Sequence, residues 1–257
     1  MSAPNFRLDG KIALVTGTGS GLGQAIAIAL AHHGADLAIT ELPSRLDAAR
    51  ATARSIEQLG RRVAVVALDV LQLTAIEAAV DEALRAFGRI DILVNNAGVN
   101  VPRLALEVTE ADWDRVVDID LKGLFFTTQA VASKAMIPGG GGKIVNIASI
   151  MGAVGYTHRA AYCSAKAGVV ALTRVLAFEW AKHRINVNAV GPTFVETPLT
   201  RSLFEDPAFR EDVLRRIPLG RLGTPDDVAG AVVYLASSAA DLVTGHHLLV
   251  DGGWTAV

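Results

Sequence analysis

The sequence has a single cysteine, Cys163, among its 257 residues. A disulfide within the chain is therefore impossible, and a reducing compartment is permitted. Positive charge is not in excess either. Lys and Arg number 24 against 26 Asp and Glu, for a net charge of −2. A protein that grips phosphate backbones normally shows a basic patch or a high pI, so no nucleic-acid partner is expected. Charged residues are few, at 19%, while 51% are hydrophobic, which argues against disorder. Yet no uninterrupted apolar run approaches the ~20 residues of a membrane helix. Residues 1–11 lack the charged-then-apolar build of a signal peptide. Linkers, low-complexity tracts and solenoid repeats are missing as well. The expectation is one cytoplasmic globular domain over residues 1–257, with no membrane partner.

Strand-like and helix-like segments alternate along the chain. The strand candidates are Ile12–Thr16, Leu37–Thr40, Val63–Leu68, Ile90–Asn95, Lys143–Ala148, Ile185–Val190 and His247–Val250. Most are short, β-branched and apolar on both faces, as strands buried in a parallel sheet are. Between them lie Ala-rich stretches with helical spacing, including Gly23–His33, Ala48–Leu59 and Leu73–Phe87. In the last of these, Glu77 and Asp81 share one face while Ile76, Val80 and Leu84 share another. Thr224 followed by Pro225-Asp226-Asp227 reads as a capped helix start. This alternation predicts an α/β fold: a single Rossmann-type, doubly wound domain, with seven mostly parallel strands and helices on both faces. Ligands in such folds bind at the carboxyl ends of the strands, near the topological switch point. One segment breaks the rhythm. Residues 193–218 show no clean strand and carry Pro198, Pro207 and Pro218. A long irregular insert at a strand's carboxyl end is a candidate substrate lid.

The first strand runs into Thr16-Gly17-Thr18-Gly19-Ser20-Gly21-Leu22-Gly23, and a helix follows. Glycines allow a tight turn and a close approach of backbone to a bulky anion. Free N–H groups and the positive helix end then hold a pyrophosphate. A strand before the motif and a helix after it are the context that a dinucleotide loop requires. Glu41 closes the second strand, 18 residues after Gly23. An acid there accepts from the adenosine ribose hydroxyls and repels a 2′-phosphate, which favours NAD over NADP. Arg45 is the nearest cation. Asp69 and Val70 end the third strand, where Asp69 either caps the next turn or accepts from the adenine amino group. After the fourth strand, Asn95-Asn96-Ala97-Gly98 leaves room for a flat ligand, and the asparagines can tie neighbouring loops together.

The sharpest signal is Tyr162-Cys163-Ser164-Ala165-Lys166. Spacing by four residues puts Tyr162 and Lys166 on one helix face. A tyrosine with an ordinary pKa of about 10 supplies little phenolate near neutrality. An adjacent ammonium is expected to lower that pKa, so that Tyr162 exchanges a proton with a substrate hydroxyl or carbonyl oxygen. Ser149, at the end of the preceding strand run, offers the same oxygen a second hydrogen bond.

With these residues in place, the chain resembles the short-chain dehydrogenase/reductase family, in its single-domain branch of roughly 250 residues. The likeness runs from Lys11 to about Gly253. It rests on Thr16–Gly23, Asn95–Gly98, Ser149, Tyr162 with Lys166, Asn186-Val187-Asn188, Pro192, Thr197 and the ending Val250-Asp251-Gly252-Gly253. The resemblance implies Tyr162 as general acid/base, Lys166 as its activator and a holder of the nicotinamide ribose, and Ser149 as the orienter of the substrate oxygen. It implies that Asn96, Ala97 and Gly98 border the cofactor and that Pro192, Val195 and Thr197 lie by its nicotinamide end. It also implies a homo-oligomer, with a tetramer favoured, paired through helices over 112–135 and 160–183 and through the last strand.

Two positions depart from the family pattern. Asp120 stands where an asparagine usually anchors a water of the proton relay, and its carboxylate is expected to pair with Lys122 or Lys166. Thr193 stands where glycine usually follows Pro192. The stretches around Val99–Pro102, 193–200 and Asp251–Thr255 are similar to those of gluconate, deoxygluconate and polyol dehydrogenases. The resulting expectation is an NAD-dependent oxidoreductase acting on a sugar, sugar acid or polyol as its small-molecule substrate. The alternatives are an NADPH-dependent 3-oxoacyl thioester reductase, against which Glu41 argues, and a non-catalytic dinucleotide sensor. His158, Arg159 and Arg103 either line a mouth suited to a polar or anionic substrate or sit in a solvated loop.

No metal site is expected. His246 and His247 are adjacent on a strand, so their side chains point to opposite faces. Cys163 reads as a small packing residue. Gly139–Gly142 lacks the Lys-Ser/Thr of a nucleoside triphosphate loop.

Overall fold

Strand β1 (Ile12–Thr16) is buried at all five positions, and β2 (Asp36–Glu41) at all six. Such strands cannot face water on either side, so helices must cover both faces. The computed structural model describes residues 5–198 and 200–256 and shows this arrangement. With β3 (Val63–Ala67), β4 (Ile92–Asn95), β5 (Gly142–Ile147), β6 (Ile185–Pro192) and β7 (His247–Val250), the sheet runs in the order β3-β2-β1-β4-β5-β6-β7. Every pairing is parallel. The strand order reverses between β1 and β4, which opens a crevice at their carboxyl ends.

The pleat divides the core. Ala13 and Val15 of β1 face one layer, built from α1 (Gly21–His32), α2 (Leu46–Gln58) and, far along the chain, Val228 and Val232. Leu14, between them, faces the other layer, with Ile76 and Val80 of α3 (Leu73–Phe87). Each fully buried Leu, Ile or Val contributes about 1.5–3 kcal/mol over leaving it exposed. The exposed face of α3 also behaves as its spacing predicts, with Lys134 taking both Glu77 and Asp81 as partners.

After β4 the chain forms α4 (Glu110–Val117) and α5 (Leu124–Val131), followed by the single turn α6 (Ile137–Gly139). Between α4 and α5 the backbone widens into π-type turns over Asp118–Gly123. Widened turns of this kind occur often at functional sites. Here Gly123 permits close packing: a Cβ would lie 2.8 Å from the Val70 carbonyl oxygen. The long helix α7 (Ala160–Trp180) carries Tyr162 and Lys166. With the turn that extends it to His183, it is long and apolar enough to cross a membrane. Instead it lies on the sheet, burying Val169, Val170, Thr173, Leu176 and Ala177.

Residues 193–218 are more regular than their prolines suggest. They hold a short 3₁₀ segment, Arg201–Glu205, and helix α8 (Pro207–Arg215). Pro207 opens α8 at its first position, where its missing N–H costs nothing, and the Asp206 side chain caps it by accepting from Ala208 N–H. Leu199 lies outside the described residues. The last helix, α9 (Pro225–Ala236), starts in a full capping box of Thr224 and Asp227, as its sequence predicts.

Candidate active site

A cleft of about 840 Å³ opens at the switch point, at the carboxyl ends of the strands. It is lined by the glycine loop (Gly17, Ser20, Gly21, Leu22, Gly23), by Glu41, Asp69 and Val70, and by Asn96, Ala97 and Gly98. Asp120, Ser149, Tyr162, Lys166, Pro192, Val195 and Thr197 complete the wall. These residues singled out from sequence therefore share one space, as does Arg159, whereas His158 and Arg103 do not line it.

The glycine loop shows why its composition is demanded. A Cβ on Gly23 would collide with the Gly17 carbonyl oxygen, and Gly17 itself has φ +69°. The N-terminus of α1 points into the cleft with no side-chain cap at Ser20 and no acidic residue in its first turn. An uncapped helix start leaves backbone N–H groups without partners and a positive dipole end. That is the environment a pyrophosphate needs, so the residues present fit a dinucleotide.

Glu41 is buried and braces the loop from the side. Its Oε2 accepts from Gly19 N–H at 2.8 Å, and Oε1 accepts from Leu42 N–H at 3.1 Å. Gly19 is fixed by this contact, because a Cβ there would lie 2.6 Å from Oε2. Arg45 lies exposed on the same rim. Asp69 caps its turn, accepting from Leu71 N–H at 3.0 Å, and also lines the cleft. The capping reading of Asp69 is therefore the one a contact shows. Asn96 ties neighbouring loops as expected, whereas Asn95 joins β4 to β5 and α5. Asn96 Nδ2 donates to the carbonyls of Thr16 and Gly17, each at 2.9 Å. Asn95 Nδ2 bridges to Thr128 and Asn146, at 2.7 and 2.9 Å.

On the opposite wall, Ser149 Oγ accepts from Met151 N–H at 3.1 Å. The hydroxyl keeps its O–H and a second lone pair for the cleft, with the Tyr162 phenol within its reach. Lys166 is 4% exposed. Its ammonium donates to the Ile147 carbonyl at 2.9 Å and lies 5.5 Å from the Tyr162 ring centre. The sequence left two partners open for Asp120, and the structure chooses Lys166, with Nζ 3.1 Å from Oδ2. Lys122 pairs with Asp118 instead, at 3.2 Å. The other Asp120 oxygen accepts from Val99 N–H at 2.7 Å. Asp120 is fully buried, so this is an ion pair in low dielectric.

Burial, with that pair behind it, sets the direction for Tyr162. Burial raises the phenol's pKa. Lys166 pulls it down, but the Asp120 carboxylate pushes it up again, and the net direction is upward. An ammonium already facing a carboxylate is a weaker activator than a lone one. Burial alone would drive the lysine's pKa down, yet attraction to Asp120 and Tyr162 more than offsets it, and the ammonium stays charged. The Asp120 carboxyl is itself held above its usual range by burial, against the pull of Lys166 and the Val99 N–H.

Thr193 replaces the usual glycine without breaking the turn. Its N–H donates to the Val250 carbonyl at 3.1 Å, and β6 and β7 stay paired beside it. Beyond it, Thr200 Oγ1 donates to the Val195 carbonyl at 2.6 Å and receives Thr197 N–H at 3.0 Å, fixing the strip that faces Gly21. Phe194, Leu203 and Arg115 also line the cleft. Sequence reasoning did not single them out, because nothing in their spacing separates them from ordinary core or surface positions.

A family model described as enoyl-(acyl carrier protein) reductase matches residues 17–255. The chain is 43% identical over 251 residues to a 2-dehydro-3-deoxy-D-gluconate 5-dehydrogenase of Escherichia coli (strain K12), covering 98% of each chain. It is 44% identical over 254 residues to a D-threitol dehydrogenase of Mycolicibacterium smegmatis, covering 98% of this chain and 95% of that one. A solved structure of a gluconate 5-dehydrogenase from Burkholderia cenocepacia J2315, in complex with NADP and tartrate, superposes with a TM-score of 0.94. It is 38% identical, with 99% of this chain and 98% of that chain covered.

Proposed function

The chain belongs to the short-chain dehydrogenase/reductase family of hydride-transferring oxidoreductases, and from that premise we propose that it interconverts a secondary alcohol and ketone on a sugar, sugar acid or polyol, with NAD as cofactor. One observation carries the reading. The uncapped start of α1 and the Ser149, Tyr162 and Lys166 side chains open on the same cleft. A nicotinamide dinucleotide bound there supplies the hydride acceptor or donor.

The chain's own residues supply the rest. The glycine loop and the α1 N-terminus hold the pyrophosphate. Ser149 donates its free hydroxyl hydrogen to the substrate oxygen and fixes its position. Tyr162 takes the proton from the hydroxyl during oxidation and returns it during reduction. Lys166 holds charge beside the phenol, and Asp120 moderates it. Glu41 at the end of β2 supports NAD, since a buried carboxylate repels a 2′-phosphate. Sugar acid and polyol dehydrogenases among the relatives support the substrate class.

The deciding experiment measures nicotinamide reduction with NAD and NADP against polyols, sugar acids, simple secondary alcohols and 3-hydroxyacyl thioesters. The expected result is turnover of sugar-like substrates with kcat/KM for NAD at least about tenfold above NADP, the ratio that 1.4 kcal/mol of discrimination brings. A preference for NADP overturns the reading of Glu41. Tight NAD binding without any turnover would instead identify a sensor.

Residues 193–218 act, in this reading, as the substrate lid. Phe194, Thr197 and Leu203 line the cleft, while Val213 and Ile217 anchor the segment in a small aromatic core with Trp254. Hydrogen exchange in 200–210 is expected to slow when NAD and substrate are added together. Unchanged exchange would argue for a fixed wall.

The same reading makes the protein a homotetramer. On α7, Phe178 is 88% exposed and Val175 51%, an apolar pair that a like helix from a second copy would cover. Light scattering is expected to give a tetramer for the unaltered chain and smaller species for Phe178→Asp. A monomer in both cases sinks the idea.

A further inference from the structure

Arg159 is the residue just before α7, three positions ahead of Tyr162, and it lines the cleft. Its side chain carries a charge into the interior, since the residue is only 5% exposed. Nε is buried without any hydrogen-bond partner. Nη1 reaches only the neighbouring His158 carbonyl, at 3.2 Å. Among the described residues no carboxylate forms an ion pair with it. The nearby acids are committed elsewhere. Asp212 is held by Tyr156, Arg215 and Arg216, Asp120 by Lys166, and Asp112 by Arg103. The titratable groups facing the guanidinium are the Tyr156 and Tyr162 phenols and the Cys163 thiol. None of these is ordinarily anionic at neutral pH.

The backbone compounds the imbalance. Arg159 occupies the N-cap position of α7, where no side chain caps the helix and no acid sits in the first turn. The positive end of the helix and the guanidinium therefore meet with the same sign, against the usual preference for anions there. His158 adopts φ +61°, which is costly for a residue with a Cβ, and it is held there as its carbonyl accepts from Arg103 N–H at 3.2 Å. A buried, unpaired cation beside free helix N–H groups is a site built for an anion.

We propose that Arg159 binds the carboxylate of the substrate, so that the enzyme acts on an acid and discriminates against the neutral polyol of the same length. The inference rests on the hydride-transfer reading of the cleft given above. The carboxylate sits across the Nε–Nη edge of the guanidinium. Tyr162, about 4.5 Å further along the helix axis, and Ser149, across the cleft after β5, take the alcohol of the same molecule. The proton and hydride steps are those already described, and the carboxylate is unchanged by the reaction.

The test uses matched pairs that differ only in a terminal carboxylate or CH₂OH: D-gluconate with D-glucitol, and D-threonate with D-threitol. Affinity is measured by calorimetry on the NAD-loaded protein, and kcat/KM by nicotinamide absorbance, for the unaltered chain, Arg159→Gln and Arg159→Lys. The unaltered chain is expected to bind at least one acid about tenfold or more tighter than its neutral partner. Arg159→Gln is expected to lose about 10- to 100-fold on acids, the usual worth of a charged hydrogen bond, chiefly in KM. Neutral substrates should lose less than acids by about tenfold or more, because only acids lose the ion pair. Arg159→Lys should fall between, since it keeps the charge and loses the planar fork; it also serves as the readout if the glutamine variant fails to fold. Equal losses on acids and polyols would assign Arg159 a packing role and overturn the proposal. So would the absence of any acid preference in the unaltered chain. Turnover of polyols in that case leaves the proposed function standing, whereas no binding and no turnover of either class removes both.

Discussion

Tyr162→Phe is expected to lower kcat by about 10²–10⁴-fold, the share that a positioned acid–base group usually contributes. The substitution removes only an oxygen. The ring keeps its place between two small apolar clusters, one with Ile150 and Trp254 and the other with Val116 and Ala161. Folding and NAD affinity should therefore change little, which separates a chemical loss from a structural one. NAD titration by fluorescence and a thermal melt check the second point, and single-turnover kinetics the first. A variant that keeps activity within about threefold would remove Tyr162 from the mechanism, because losing an acid–base group costs at least about 10²-fold.

The second large effect concerns pH. The Asp120 carboxylate holds the Tyr162 phenol's pKa up, both directly and by engaging Lys166. Asp120→Asn removes that charge. Its amide oxygen can still accept from Val99 N–H, while the amide nitrogen takes the place of Oδ2 and offers the ammonium no acceptor, so Lys166 keeps only the Ile147 carbonyl. The sign follows from which form of Tyr162 works in each direction. Alcohol oxidation needs the phenolate, so its rate rises as pH passes through the phenol's pKa. Carbonyl reduction needs the phenol, so its rate falls there. With the carboxylate gone the pKa drops, and both limbs move to lower pH. The plateau kcat should change by less than the ~10²-fold that loss of an acid–base group brings. Superimposable pH–rate profiles for the two forms would show that Asp120 does not tune the tyrosine.

Asp120 also marks where sequence reasoning stopped. Its departure from the family pattern was visible, and so were its possible partners Lys122 and Lys166. Choosing between them required the π-type widening of Asp118–Gly123 and the packing of that segment against α7, which join residues 46 positions apart. Lys166 does pull the Tyr162 pKa down as its spacing predicts, but burial outweighs it and the Asp120 carboxylate adds to the rise. Burial and the approach of Asp120 are matters of distance in space. Arg159 is a parallel case. Its spacing before Tyr162 was plain, but its burial and its lack of a counter-ion belong to the assembled cleft.

Other features were legible because they are local. Strand β1 and the bounds of α3 coincide with their sequence readings, because burial on both faces and a helical period each leave a short-range pattern. The start of α9 was equally clear, since Thr224, Pro225 and Asp227 make a cap that depends on four consecutive residues. The 193–218 segment was misread as irregular because Pro207, a breaker within a helix, is also a favoured helix opener. By itself, then, the sequence determined the α/β order, the dinucleotide loop and the Tyr162–Lys166 face. All three follow from spacings of one to eight residues. The tertiary structure decided the charges: Asp120 against Lys166, Glu41 against Gly19, and Arg159 against nothing. Electrostatic energies depend on burial and on approach within a few ångströms, and elements distant in the chain set both.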